Sequence, residues 1–198
     1  MFTFKVLLVF MLPLFMSAVS HHPKANVRWA VQQNSNLSVQ GSSNVNRFSC
    51  IIKSIGVCDT LFVTDNNATA VALKGCLKID VLAFNCHNSL IQKDLRKTLK
   101  AEEYPKMTIR FLSLKKMPML TRQSEAITGW VEVELAGTKK VMELKYVFAT
   151  NTTGDILLNG ARKFCFSDFS LEPPRKLAGL VKIKDEFDVQ FQLVLKRV

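Results

Sequence analysis

The sequence predicts an all-β protein of antiparallel strands, a barrel or a sandwich, with one flanking α-helix. Three observations carry this. Apolar and polar residues alternate in short stretches through most of the chain beyond residue 24. Turn-forming residues separate those stretches, and a helical period occurs once, beginning at Asn88. Alternation at period two gives a strand one wet and one apolar face. Many such strands with a single helix imply an antiparallel barrel or sandwich, and closure into a barrel removes exposed edges.

The elements follow in order. Asn26–Val31 and Asn36–Gln40 are short alternating strands, and Gly41-Ser42-Ser43-Asn44 makes a bend. Phe48–Ile55 is apolar without a clean period and is read as a strand. Leu61–Val63 and Ala70–Leu73 flank the turn formers Thr64–Ala68 and predict a hairpin. Lys78–Phe84 continues as a further strand. From Asn88 the period changes: Leu90, Ile91, Leu95 and Leu99 recur at helical spacing among charged residues, with Asn88 or Ser89 as cap. Pro105 forbids a helix much beyond Glu103. Strands resume over Met107–Leu114, Ala126–Leu135, Val141–Thr150, Asp155–Leu158, Lys163–Leu171 and Leu180–Leu195, the last with room for a break.

Residues 1–20 read as a cleavable export leader. Lys5 precedes the apolar run Val6–Phe15, and Ala18-Val19-Ser20 supplies a small-x-small cleavage site. A run of about ten residues is too short to span a ~30 Å hydrocarbon core as a helix. The expected mature chain is residues 21–198, a single domain beginning at His21, working outside the cytosol.

The chain of 198 residues carries 27 Lys and Arg against 16 Asp and Glu, a net charge of +11. This balance permits peripheral contact with an anionic membrane surface. The basic residues are scattered and no RNA- or DNA-binding motif accompanies them, so nucleic acid is not an expected partner. Catalysis finds little support. His87 is the one histidine beyond the start of the mature chain, and Cys-x-x-Cys, His-x-x-x-His and Gly-x-Ser-x-Gly spacings do not occur. No catalytic residue, metal or cofactor is expected.

All five cysteines, Cys50, Cys58, Cys76, Cys86 and Cys165, fall in the expected mature chain. An oxidising compartment makes pairing plausible. Centring the hairpin on Asn67 sets Cys58 opposite Cys76, Thr60 opposite Lys74 and Phe62 opposite Ala72. Cys50 and Cys86 each stand two residues after a Phe and make the second expected pair, which leaves Cys165 as a thiol. The other reading of each cysteine is a small, reduced core residue.

Asp94–Phe111, with its Tyr104-Pro105-Lys106-Met107-Thr108-Ile109-Arg110-Phe111 strand, resembles the helix-then-strand segment of the YceI-like family. Thr128–Val141 is similar to the family's Gly-x-Thr-Lys hairpin. Phe166-Ser167-Asp168-Phe169-Ser170-Leu171 is similar to its Ser-x-x-Asp-Phe-Gly-Ile strand, with Ser170 in place of Gly. Gly41–Cys50 and Phe84-Asn85-Cys86 resemble a branch seen in Bacteroidetes-type bacteria, whereas Thr60–Gly75 departs from the better-known members. The resemblance implies an eight-stranded antiparallel, lipocalin-like barrel, secreted and usually periplasmic, that holds a polyisoprenoid or similar long-chain apolar lipid. An eight-stranded barrel is about wide enough for one slender ligand among its inward side chains.

Strand alternation and the resemblance together give the lumen candidates: Ile79, Val81, Met107, Ile109, Phe111, Val131, Val133, Phe187, Val189 and Phe191. Ligand contact and core packing need the same residue types. The alternative to a lipid carrier is therefore a structural or stress-related envelope protein whose barrel is filled by its own side chains.

Overall fold

The computed structural model describes residues 25–55, 60–65, 70–176 and 180–198. The expected leader, its cleavage before His21, and Cys58 lie outside the described residues.

The strands are β1 (Ala25–Val31), β2 (Asn36–Ser43), β3 (Arg47–Ile52), β4 (Thr60–Asp65), β5 (Val71–Asp80), β6 (Lys106–Leu114), β7 (Glu125–Leu135), β8 (Thr138–Thr150), β9 (Ile156–Cys165), β10 (Arg175–Lys176) and β11 (Val181–Arg197). The helix α1 (Ser89–Thr98) lies between β5 and β6. Eight antiparallel strands, β1, β4, β5, β6, β7, β8, β9 and β11, close into a ring when β11 pairs with β1. β11 is long enough to serve two neighbours on that side. Its C-terminal end pairs with β1, and its earlier part, from Ile183 to Gln192, pairs with β2, which carries β3.

Local chemistry explains the elements. In α1 the Asn88 side chain accepts hydrogen bonds from the backbone N–H of Leu90 and Ile91, an N-cap that satisfies two orphan donors. The β7–β8 hairpin turns through Ala136 and Gly137, both at positive φ (47° and 80°), as a tight two-residue turn demands. The ring of Tyr104 packs against the bare Cα of Gly137, where an added Cβ would lie 2.8 Å from its carbons.

Several sequence expectations need correction. β5 runs unbroken from Val71 to Asp80, and Val81–Ala83 then forms a 3-10 turn instead of continuing as a strand. The Asp80 carboxylate accepts from Leu82 N–H and starts that turn. The chain leaves β9 at Cys165 and enters a second 3-10 turn, Phe166–Phe169, where Lys163–Leu171 reads as strand. The Asp168 carboxylate drives this change by accepting from the Cys165 backbone N–H. β9 itself passes through Gly160 without a break, and β11 is one strand of 17 residues with a bulge in its pairing with β2 between Ile183 and Phe187. In the β4–β5 hairpin Phe62 faces Lys74 and Thr64 faces Ala72, a register two residues from the Asn67-centred one. A slip of two keeps the same side chains inward, so hydrophobic alternation cannot distinguish the two registers.

Cys50 and Cys86 form a disulfide that ties β3 to the segment following β5, beside an isolated bridge between Ile51 and Asn85. Among the described residues Cys76 and Cys165 are free thiols.

Candidate functional site

The barrel is filled unequally along its length. One half is solid. Trp29, Leu61, Leu73, Leu114, Tyr146, Phe148, Leu158 and Leu193 meet there with almost no exposure. Trp29 packs on Phe148 with ring centroids 6.0 Å apart, Phe148 on Tyr146 at 6.4 Å, and Tyr146 on Phe111 at 6.1 Å. Tilted and edge-to-face pairs at these separations are the favoured aromatic arrangement. Burial pushes the Tyr146 phenol pKa upward. Its hydroxyl and the Trp29 indole nitrogen have no hydrogen-bond partner among the described residues.

The other half is hollow. A partly enclosed cavity of about 80 Å³ opens above Tyr146. Its walls come from Met107 and Ile109 of β6, Val131, Val133 and Leu135 of β7, and Leu144 of β8. Facing these stand Phe187, Val189 and Phe191 of β11, Leu37 and Val39 of β2, and Arg162 and Phe164 of β9. Leu95 and Leu99 of α1, with Phe84, cover one side, and Phe166 and Phe169 of the second 3-10 turn cover another. Phe164, Phe166 and Phe187 form a small stack, with centroids 5.8 and 4.7 Å from Phe187. The exposed lining is almost wholly apolar. Water needs two to four polar partners to occupy a cavity, so a space of this kind stays dry or takes an apolar guest.

The structure thus brings Met107, Ile109, Val131, Val133, Phe187, Val189 and Phe191 together around one space. It does not place Ile79, Val81 or Phe111 there. Ile79 and Val81 are buried beside it in the core, Val81 on the 3-10 turn. Phe111 lies below, in the solid half against Tyr146. Trp29 belongs to the solid core, and Trp130 points outward, 48% exposed. Sequence reading missed the helix pair Leu95 and Leu99, although their spacing was the signal for α1. It also missed Leu144, which alternates with the buried Met142, Tyr146 and Phe148. Arg162 escaped because the sequence suggested a break between Leu158 and Lys163. As one strand, β9 places Arg162 in step with the buried Ile156, Leu158 and Gly160.

At the rim, Asp168 accepts from Lys140 Nζ at 3.3 Å as well as from the Cys165 N–H. The Cys165 backbone donor foremost, and Lys140 and Arg162 after it, hold the Asp168 carboxyl below its ordinary value. Burial, followed by nearby carboxylates, raises the pKa of the Cys165 thiol, which is the opposite of an activated nucleophile. Among the described residues no group of three or more His, Cys, Asp or Glu side chains is placed to hold a metal ion. No helix among them is long and apolar enough to cross a membrane.

A closed antiparallel barrel with an apolar internal cavity is lipocalin-like in architecture. The YceI-like domain model matches residues 22–195, and the chain belongs to that family. Among solved structures, the chain is similar to a polyisoprenoid binding domain from Saccharophagus degradans implicated in plant cell wall breakdown (TM-score 0.65, 15% identity, covering 85% of this chain and 97% of that one). It is similar to BcnA from Burkholderia cenocepacia (TM-score 0.62, 17% identity, 83% and 98% covered). It also resembles the YCEI protein of Campylobacter jejuni (TM-score 0.51, 19% identity, 70% and 80% covered). None of the curated protein sequences matches the chain directly.

Proposed function

We propose that this protein is an exported lipid-binding protein that holds one long apolar chain, a polyisoprenoid or a similar lipid, in the hollow half of its barrel. The observation that carries the reading is the apolar cavity between an aromatic floor and a helical cover. Each methylene group moved from water into such a space contributes roughly 0.8 kcal/mol. A slender chain therefore gains affinity with length, without catalytic or metal-binding groups. A guest longer than the cavity extends past the half-buried Val189 and Phe191 toward the surface. Met107 adds an adaptable wall, since Met changes shape at little cost. The solved structure described as a polyisoprenoid binding domain supports the ligand class. The charged-apolar-small leader pattern and the Cys50–Cys86 disulfide support export to an oxidising compartment. The net positive charge suits transient contact with anionic membrane surfaces, where such lipids are picked up and delivered.

Native mass spectrometry of protein purified without detergent, followed by organic extraction, tests this. The expected result is a mass surplus that extraction removes, together with an apolar lipid in the extract. Delipidated protein should then gain melting temperature when a polyprenyl quinone is added. An extract without lipid, and melting indifferent to added polyprenyl lipid, would establish the self-filled barrel instead.

A further inference from the structure

The hollow half of the barrel has a seam in its wall. β8 pairs with β7 along nearly its whole length, from Thr138 opposite Leu135 to Phe148 opposite Glu125. On its other side β8 pairs with β9 only from Tyr146–Gly160 to Thr150–Ile156. β9 runs on to Cys165, held from its far side by β11, where Cys165 faces Glu186. Past Gly160, β8 and β9 therefore part. Leu144 forms one inner lip of the opening, and Arg162 and Phe164 form the other. Outside the same seam a surface groove runs over Lys145, Val147, Gly160 and Ala161, and Phe191 lines both groove and cavity.

Among the described residues, Arg162 is the one charged side chain in the cavity lining. Its strand position is inward, yet it is exposed at the seam. Its guanidinium lies 5.9 Å from the centroid of the Phe164 ring and donates across the opening to the Glu143 carbonyl. No salt bridge among the described residues includes it; neighbouring Asp168 pairs with Lys140. A guanidinium carries five N–H donors, so one carbonyl leaves most of them available. An apolar slot that ends at an oriented guanidinium with donors to spare, whose charge also acts on the nearby Asp168 carboxylate, matches an amphiphile with an apolar tail and an oxyanion head.

Resting on the lipid reading above, we propose that Arg162 is a head-group site. It takes the carboxylate or phosphate of a single-chain acidic lipid at the β8–β9 seam, while the tail occupies the cavity. Neutral chains of the same length fill the cavity and forgo this contact.

The test titrates delipidated protein with cis-parinaric acid and with its methyl ester, following polyene fluorescence. Displacement of the bound ester by a polyprenyl phosphate and by the matching polyprenol gives a second acid–neutral pair. The expected result is about tenfold tighter binding of an acidic lipid than of its neutral partner at low salt. Arg162→Gln should erase that preference by weakening each acidic lipid about tenfold more than its neutral partner, and Arg162→Lys should keep part of it. A preference in the first pair alone assigns the head as carboxylate, and in the second alone as phosphate; either supports the proposal. Equal binding of acid and neutral forms by the parent protein, or equal weakening of both by Arg162→Gln, overturns the head-group site and leaves the cavity reading standing. Failure of the parent to bind any of the four lipids removes both. Arg162 is exposed, so an unchanged melting curve confirms that the variants are folded.

Discussion

The ring of Phe191 lies where Gly160 would carry a side chain: a Cβ built on Gly160 would stand 2.3 Å from the Phe191 Cζ and 2.4 Å from its Cε1. The two residues face each other across the β9–β11 ladder. The bare backbone of Gly160 lets the ring lie flat against the wall, edge-on to Tyr146 at 6.4 Å. Gly160→Ala should push Phe191 into the cavity. Overpacking of this kind costs about 1–3 kcal/mol, read as a lower urea midpoint, and lipid uptake should fall with it. A variant with parental stability and parental uptake contradicts this arrangement.

Phe111 and Met107 should respond differently to truncation. Phe111 is 2% exposed in the solid half, so Phe111→Ala should cost roughly 3–5 kcal/mol whether or not lipid is bound. Met107 lines the cavity. Met107→Ala should cost about 2–5 kcal/mol in delipidated protein and distinctly less with lipid, because the guest moves into the vacated space. Melting of both variants with and without lipid decides the matter; a lipid-dependent loss at Phe111 would move the cavity floor.

Tyr146 carries a buried hydroxyl without a partner among the described residues, an arrangement that costs about 1–3 kcal/mol of desolvation. Tyr146→Phe removes the hydroxyl and keeps the ring. Stability should hold steady or rise by about 1 kcal/mol. A loss of stability on denaturant titration would reveal a partner for that hydroxyl, such as an internal water.

The disulfide closes a long loop, with Cys50 and Cys86 36 residues apart. Chain-entropy reasoning gives about 4 kcal/mol for a loop of this size. Reduction, or Cys50→Ser with Cys86→Ser, should lower the melting temperature clearly. Non-reducing peptide mapping should recover the Cys50 and Cys86 peptides joined; Cys165 bridged to either one would refute the pairing.

Acid should weaken the fold through three depressed carboxyls. Lys116 first, then the Met119 backbone N–H, lowers Glu125 below its ordinary 4.5. Hydrogen bonds from Thr153 and Asn151 lower Asp155, and the Cys165 N–H lowers Asp168, from an ordinary 3.8. A group whose folded pKa is depressed stabilises above its unfolded pKa, and that contribution disappears as pH falls through the folded value. Stability should therefore be flat in these groups above their ordinary values and decline below them. Asp155→Asn should make the decline shallower, and a pH–stability profile identical to the parent's would exclude Asp155 from the effect.

The sequence declares periodicity, so β7, β8 and the helix cap at Asn88 are legible in it. Alternation reports which face of a strand is inward and says nothing about height along the barrel axis. Phe111 and Ile109 thus look alike in sequence, while only Ile109 borders the cavity. The two-residue shift in the β4–β5 register is invisible for the same reason. Phe166 and Phe169 appear strand-like until the Asp168 carboxylate is seen to bend the chain back on Cys165. Arg162 was obscured by the gap between the expected strands Asp155–Leu158 and Lys163–Leu171, where Gly160 in fact seats Phe191.

Unequal filling of the barrel also separates two kinds of evolutionary change. Substitutions around Trp29, Tyr146 and Phe148 act on whether the chain folds at all. Those at Val133, Leu144 or Val189 act mainly on what fits above that floor. A lineage can therefore exchange one guest for another through a series of folded proteins, with the solid half holding the architecture constant while the hollow half drifts.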